Sequence, residues 1–142
     1  MSQINQKLKG ILADTFVIYM KSFHVHWNMK DERFYFIHRM IEEQYKELAE
    51  FIDEIAERIR QKGEIAPKSL KEVLSLKSLT ETETVQNGSQ MLIDLRKTYE
   101  HLITEVHALI DSAGHDFVTQ DLMIEYAKFI EKTIWILESH QK

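Results

Sequence analysis

The stretch RFYFIHRMIEEQYKELAEFIDEIAERIRQKG, residues 33–63, decides the fold. Within it Phe34, Ile37, Ile41, Tyr45, Leu48, Ile52, Ile55 and Ile59 keep one apolar stripe in phase around a helix for about seven turns. The predicted helix runs from about Arg33 to Gln61. Asp31 is placed to cap a start near Glu32, Gly63 to cap the end, and Pro67 to prevent quick resumption. Glu43, Glu47, Glu50 and Glu54 read as a solvated outer face, with Lys46 and Arg58 as i, i+4 partners.

Working outward, Ile4, Leu8, Ile11, Leu12 and Tyr19 carry the same periodicity from Ser2 to about Met29, which predicts a first long helix. After Pro67, residues 69–76 read as a short helical turn inside a connection too long for a tight hairpin. A third long helix, capped by Thr80 or Thr82, carries Val85, Met91, Leu92, Leu95, Leu102, Val106, Leu109 and Ile110 until Ser112-Ala113-Gly114 stops it. The fourth runs from about Phe117 to Ser139. Four long helices with one long connection in the middle predict an all-α, ferritin-like four-helix bundle with a short extra helix between its second and third members.

The chain of 142 residues fits one domain, residues 1–142, large enough to bury a core unaided. One Pro and four Gly favour long helices over turns and strands. A net charge of −5 disfavours DNA as a partner and suits a cation. The absence of Cys excludes disulfides and thiolate metal sites. No apolar run reaches membrane-spanning length and MSQINQKLKG lacks a signal-peptide core, so a cytoplasmic location and no membrane contact are expected.

Within this frame His26, His38, Asp53 and Glu57 stand out, because imidazole and carboxylate bind divalent transition metals. On the second helix His38, Glu42, Asp53 and Glu57 project at roughly 0°, 40°, 60° and 100°, so all four share a face. Along the axis, however, His38 and Asp53 are about 22 Å apart, and one ion with ligands at about 2 Å cannot touch both. Two copies of this helix packed antiparallel about a twofold axis would bring His38 of one chain beside Asp53 and Glu57 of the other, twice. His26 reaches the same end as His38 because the intervening turn folds the chain back. A single His-x-x-x-Glu or Asp-x-x-x-Glu pair is common on solvated helices; the combination is the signal.

At His26-Trp27-Asn28, followed by Phe34, His38, Tyr45, Asp53 and Ile55-Ala56-Glu57-Arg58, the chain resembles the Dps family of mini-ferritins. The resemblance continues through Leu76-Lys77-Ser78-Leu79 to Phe129, Trp135 and Glu138-Ser139. It implies a hollow homododecamer with iron-oxidation sites at twofold interfaces, His26 and His38 coming from one subunit and Asp53 and Glu57 from its neighbour. Glu42 occupies a position where the family commonly has Asp. The implied chemistry is oxidation of Fe(II) to Fe(III), by hydrogen peroxide in preference to oxygen, with ferric mineral stored inside the shell and the cell protected from oxidative stress.

The resemblance further implies that Trp27 lies near the iron and intercepts stray oxidising equivalents, against a plain reading as a packed aromatic. Asp116 and Asp121, with Asp111 as a weaker third, match the region lining iron-entry pores; the plain reading of Asp116 is a helix cap. His24 reads as a surface or supporting group, Lys30 sits in a turn that is often basic, and His101, His107, His115 and His140 have no recognisable ligand-spaced partners. DNA compaction by basic tails is not expected, since Lys7 and Lys9 already lie on the first helix and Gln141-Lys142 follow closely on the last. An iron centre inside one bundle would use Glu-x-x-His, whereas Glu105-Val-His107 and Glu138-Ser-His140 have the wrong spacing. A helical adaptor would require the whole constellation to be coincidence.

Overall fold

The computed structural model describes residues 2–84 and 86–140. Its helices are α1 (Gln3–Asn28), α2 (Phe34–Gln61), the short α3 (Leu70–Leu76), α4 (Gly88–Ser112) and α5 (Phe117–Ser139), and the described residues contain no strand. No helix among them is long and apolar enough to cross a membrane.

Polar contacts along the surface establish the direction of each helix. At one end, Glu64, just past α2, accepts from Ser2 N–H and the Asn5 amide and pairs with Lys9 at 3.3 Å, so the end of α2 lies beside the start of α1. The connection then climbs α1: Ser78 and Leu79 donate to Asp14, and α4 begins against the turn at the far end of α1. A Cβ built on Gly88 would lie 2.6 Å from both Met29 Sδ and Asp31 Oδ2, so glycine permits that approach. Lys21 meets Asp94 at 2.8 Å and Lys7 donates to Ser112 at 2.9 Å, so α4 runs antiparallel to α1. Arg58–Asp116 and Arg33–His140 contacts run α5 antiparallel to α2.

Each apolar stripe faces the shared core. On α2 it is Ile37, Ile41, Leu48, Ile55 and Ile59, all fully buried, while Phe34 is exposed and Tyr45 and Ile52 only partly covered. Tyr99 of α4 and Tyr126 of α5 are fully buried, and the Tyr126 hydroxyl meets Thr15 of α1 at 2.7 Å across the bundle. Burial of each large aliphatic side chain contributes about 1.5–3 kcal/mol.

Helix ends show where local chemistry agrees with the expected boundaries. Gly63, at φ 89°, donates to Arg60 O, and Glu64 donates to Ile59 O, a Schellman ending that satisfies two terminal carbonyls of α2. Asp116 caps α5 by accepting from Thr119 N–H at 3.1 Å. Two expected caps are not used. Asp31 accepts from Arg33 N–H and its guanidinium, which makes a turn two residues long, and α2 starts at Phe34 with Arg33 in the cap position. Thr80 and Thr82 precede α4 by several residues; the Thr82 hydroxyl is aimed at Asp94, and Asn87 caps Gly88 through a reciprocal box with Gln90. Val85, expected on that helix, lies outside the described residues.

Candidate metal centre

The turn between α1 and α2 brings His26, two residues before the end of one helix, face to face with His38, in the second turn of the next. Their rings stack at 3.6 Å between centroids with 10° between planes. His26 Nδ1 lies 2.8 Å from the His38 carbonyl oxygen, and His38 Nδ1 lies 2.6 Å from that of His26. A carbonyl only accepts, so each Nδ1 carries the proton and donates it. In the neutral rings that leaves both Nε2 lone pairs for a metal, and the reciprocal hydrogen bonds fix the tautomer and the orientation. His26 is buried and His38 half-buried.

The pair is walled by aromatics. Tyr45 meets His26 edge-on at 5.2 Å, and Phe34 stacks on His38 at 5.1 Å. Glu42, one turn beyond His38, brings Oε1 to 4.0 Å from His26 Nε2. His26, His38 and Glu42 can each offer a ligand atom, all within 4.8 Å of one another. The Lys46 ammonium, 3.0 Å away, pairs with Glu42 and holds its carboxyl below the usual range.

Asp53 and Glu57 stand elsewhere. They share the outward side of the same helix but are exposed, about 22 Å (Asp53) and about 28 Å (Glu57) along the axis from His38, and neither forms an ion pair or hydrogen bond among the described residues. Their neighbour Arg58, expected to pair with an acid along its own helix, instead donates to Asp116 at 2.8 Å, to the Thr119 hydroxyl at 2.9 Å and to the Gln61 amide oxygen at 3.1 Å. A single chain therefore holds two imidazoles and one carboxylate together and leaves two carboxylates at the other end.

A ferritin-like domain model matches residues 5–142. A DNA protection during starvation protein (Dps) from Helicobacter pylori is 33% identical over 136 residues, spanning 94% of each chain. The chain belongs to the Dps branch of the ferritin-like family. Solved Dps structures agree: that from Staphylococcus aureus matches with a TM-score of 0.93 at 27% identity, covering 98% of this chain and 95% of its own. The Dps from Vibrio cholerae, described as a member of a broad superfamily of ferritin-like diiron-carboxylate proteins, matches at 0.91 and 28%, covering 96% and 87%.

The remaining candidates of this Dps chain are placed as follows. Trp27 is 58% exposed and stacks on Phe23 at 4.8 Å, which in turn packs on Tyr45 beside His26, so Trp27 is not a buried core aromatic within the chain. His24 contacts Asn28 through Nδ1 at 3.1 Å and does not join the His26–His38 cluster. Asp111, Asp121 and Lys30 are exposed. Burial would push the Asp116 carboxyl up, but hydrogen bonds from Lys62, Thr119 and Arg58 outweigh it and hold the group well below the usual carboxylate range. His107 pairs with Glu131, and His140 lies over Phe36. His101, read as partnerless, instead meets Glu105 and Asp14. The i, i+4 spacing of His101 and Glu105 was a usable signal, whereas the third member sits on a different helix.

Proposed function

We propose that this Dps protein takes up Fe(II), oxidises it at sites shared between two subunits, and stores the ferric product as mineral inside a hollow dodecamer. The observation that carries the reading is the His26–His38 pair, whose Nδ1 atoms are committed to backbone carbonyls and whose Nε2 atoms are left to bind, far from Asp53 and Glu57 on the same chain. The missing carboxylates come from a second copy: antiparallel α2 helices about a twofold axis place Asp53 and Glu57 of each beside the imidazoles of the other. Glu42, already within reach of the pair, is a further ligand on the histidine side.

Imidazole and carboxylate suit ferrous iron, and hard carboxylate oxygens also hold the ferric product. Two Fe(II) ions supply one electron each, which reduces one hydrogen peroxide; its O–O bond breaks and, with two protons, two waters result. Oxygen is the slower alternative oxidant. Exposed Trp27, Tyr35, Phe36, Phe117 and Trp135 supply apolar surface of the kind that assembly covers. Trp27, through its stack towards Tyr45 and His26, serves to intercept stray oxidising equivalents. Exposed Asp121 is the better candidate for an iron-entry pore than Asp116, whose carboxylate is occupied by two cationic side chains. The role is protection against peroxide in the cytoplasm, without DNA binding, given the net charge of −5.

The test adds Fe(II) anaerobically to the assembled protein, then peroxide or oxygen, and follows ferric-mineral absorbance. The wild type forms mineral, faster with peroxide. An unchanged rate and iron stoichiometry in a His38→Ala/Asp53→Ala variant would show that the oxidation site lies elsewhere.

A further inference from the structure

A second cluster of ligand-type residues lies where α1, α4 and the connection after α3 meet. Asp14 is fully buried; its Oδ1 accepts from Ser78 N–H at 2.7 Å and Leu79 N–H at 2.9 Å, and its Oδ2 from the Ser78 hydroxyl at 2.6 Å. These bonds anchor the crossing connection to α1 and fix the direction of the carboxylate. Opposite it on α4 stand Glu105 and, one turn earlier, the exposed His101, whose Nε2 is 3.5 Å from Ser78 Oγ.

Two features point to a bound cation. Asp14, His101 and Glu105 each offer a ligand atom, and these atoms all lie within 4.8 Å of one another. Ligands at about 2.0–2.2 Å from a common ion lie at most about 4.4 Å apart, close to the limit within which these atoms already stand. Glu105 Oε2, moreover, is buried without a hydrogen-bond partner, because the single Ser78 hydroxyl proton goes to Asp14. No Lys or Arg among the described residues pairs with either carboxylate, so the cluster lacks a positive charge. A proton or a metal ion supplies what is missing.

We infer that Asp14, His101 and Glu105 form a second divalent-cation site, contained within one chain, that takes Zn(II) or Fe(II) and ties α1 to α4 beneath the crossing connection. One imidazole with two carboxylates suits these ions better than Mg(II), which favours oxygen ligands and retained water. The site needs no second subunit, since both of its carboxylates are already beside its imidazole.

Zinc is the probe, and the background is the assembled His38→Ala/Asp53→Ala protein, in which the proposed inter-subunit site is removed. Equilibrium dialysis followed by elemental analysis should find one Zn(II) per chain in that background, and adding His101→Ala or Glu105→Gln should abolish it. Zinc should likewise raise the Tm of the background and not that of the added variants. His101 is exposed and Gln is isosteric with Glu, so both variants should keep their helical circular dichroism. Equal zinc content with and without His101 and the Glu105 carboxylate would overturn the proposal and leave a carboxyl pair joined by a shared proton. That result is independent of the inter-subunit site, whose removal is common to every sample.

Discussion

At the start of α2 the imidazole of His38 is stacked on His26, locked through Nδ1 and covered by Phe34, whereas about four to five turns later Asp53 and Glu57 stand in solvent without partners among the described residues. Both ends carry metal-ligand chemistry on one helix face. Only the first is organised by the folding of one chain, because only there does a neighbouring helix supply a stacked ring and carbonyl acceptors. The second end gains nothing from folding except a helix to hold it and the removal of two competitors: Asp116 engages Arg58 and Lys62, so these cations do not neutralise the acids. On the proposed reading, the chain preorganises half a site and leaves the other half to assembly.

The largest expected effect breaks either end separately. His26→Ala/His38→Ala and Asp53→Ala/Glu57→Ala should each slow rapid Fe(II) oxidation in stopped flow by more than the roughly 10- to 100-fold that loss of an orienting partner alone costs. The two should diverge in urea unfolding. The exposed acids should change stability by no more than about 0.5 kcal/mol. Loss of the histidine pair should cost about 1–3 kcal/mol, because it leaves the His26 carbonyl, near the end of α1, without its imidazole donor. Equal destabilisation by the two variants would mean that both ends are organised within the chain.

The rigidity of the helix that separates the two ends can be tested next. Ile41, fully buried between them, should cost about 2–5 kcal/mol on replacement by Ala, measured by chemical denaturation. The smallest effect concerns the ion pairs beside the acidic end. The Asp116 carboxyl is held below its unfolded value, so its contribution to stability is fully present above the unfolded pKa near about 3.9 and is lost as pH falls towards the lower folded value. An Asp116→Asn variant should therefore lose stability at neutral pH and show a shallower decline in acid than the wild type, followed by thermal melts across pH.

Much of this division was legible in the sequence, for identifiable reasons. The stripe from Ile37 to Ile59 has helical period, and Gly63 and the Asp116 cap act locally, so bounds that rest on them agree with the structure. The start of α4 is not legible in this way, because Thr80 and Thr82 are good caps in isolation, while the extended crossing over α1 postpones the helix until Asn87. Phe34 was counted in the core stripe, yet tertiary packing leaves it beside the His38 ring. The spacing of His26 and His38 could be seen, but their stacking and crossed hydrogen bonds depend on the turn between two helices. Arg58 was assigned to its own helix face, and only the packing of α5 reveals that it serves Asp116. Asp14, His101 and Glu105 escaped for the same reason, since α1 and α4 must pack before the three can meet.

Subunit mixing tests the central claim most directly. A chain carrying His26→Ala/His38→Ala and a chain carrying Asp53→Ala/Glu57→Ala are each inactive alone, and are unfolded, mixed and reassembled together. If each site joins the histidines of one subunit to the acids of the next, every mixed pair regains one intact site, and random pairing should restore about a quarter of the wild-type sites and of rapid Fe(II) oxidation. Mixed assemblies that form fully but remain as inactive as either parent would contradict the account.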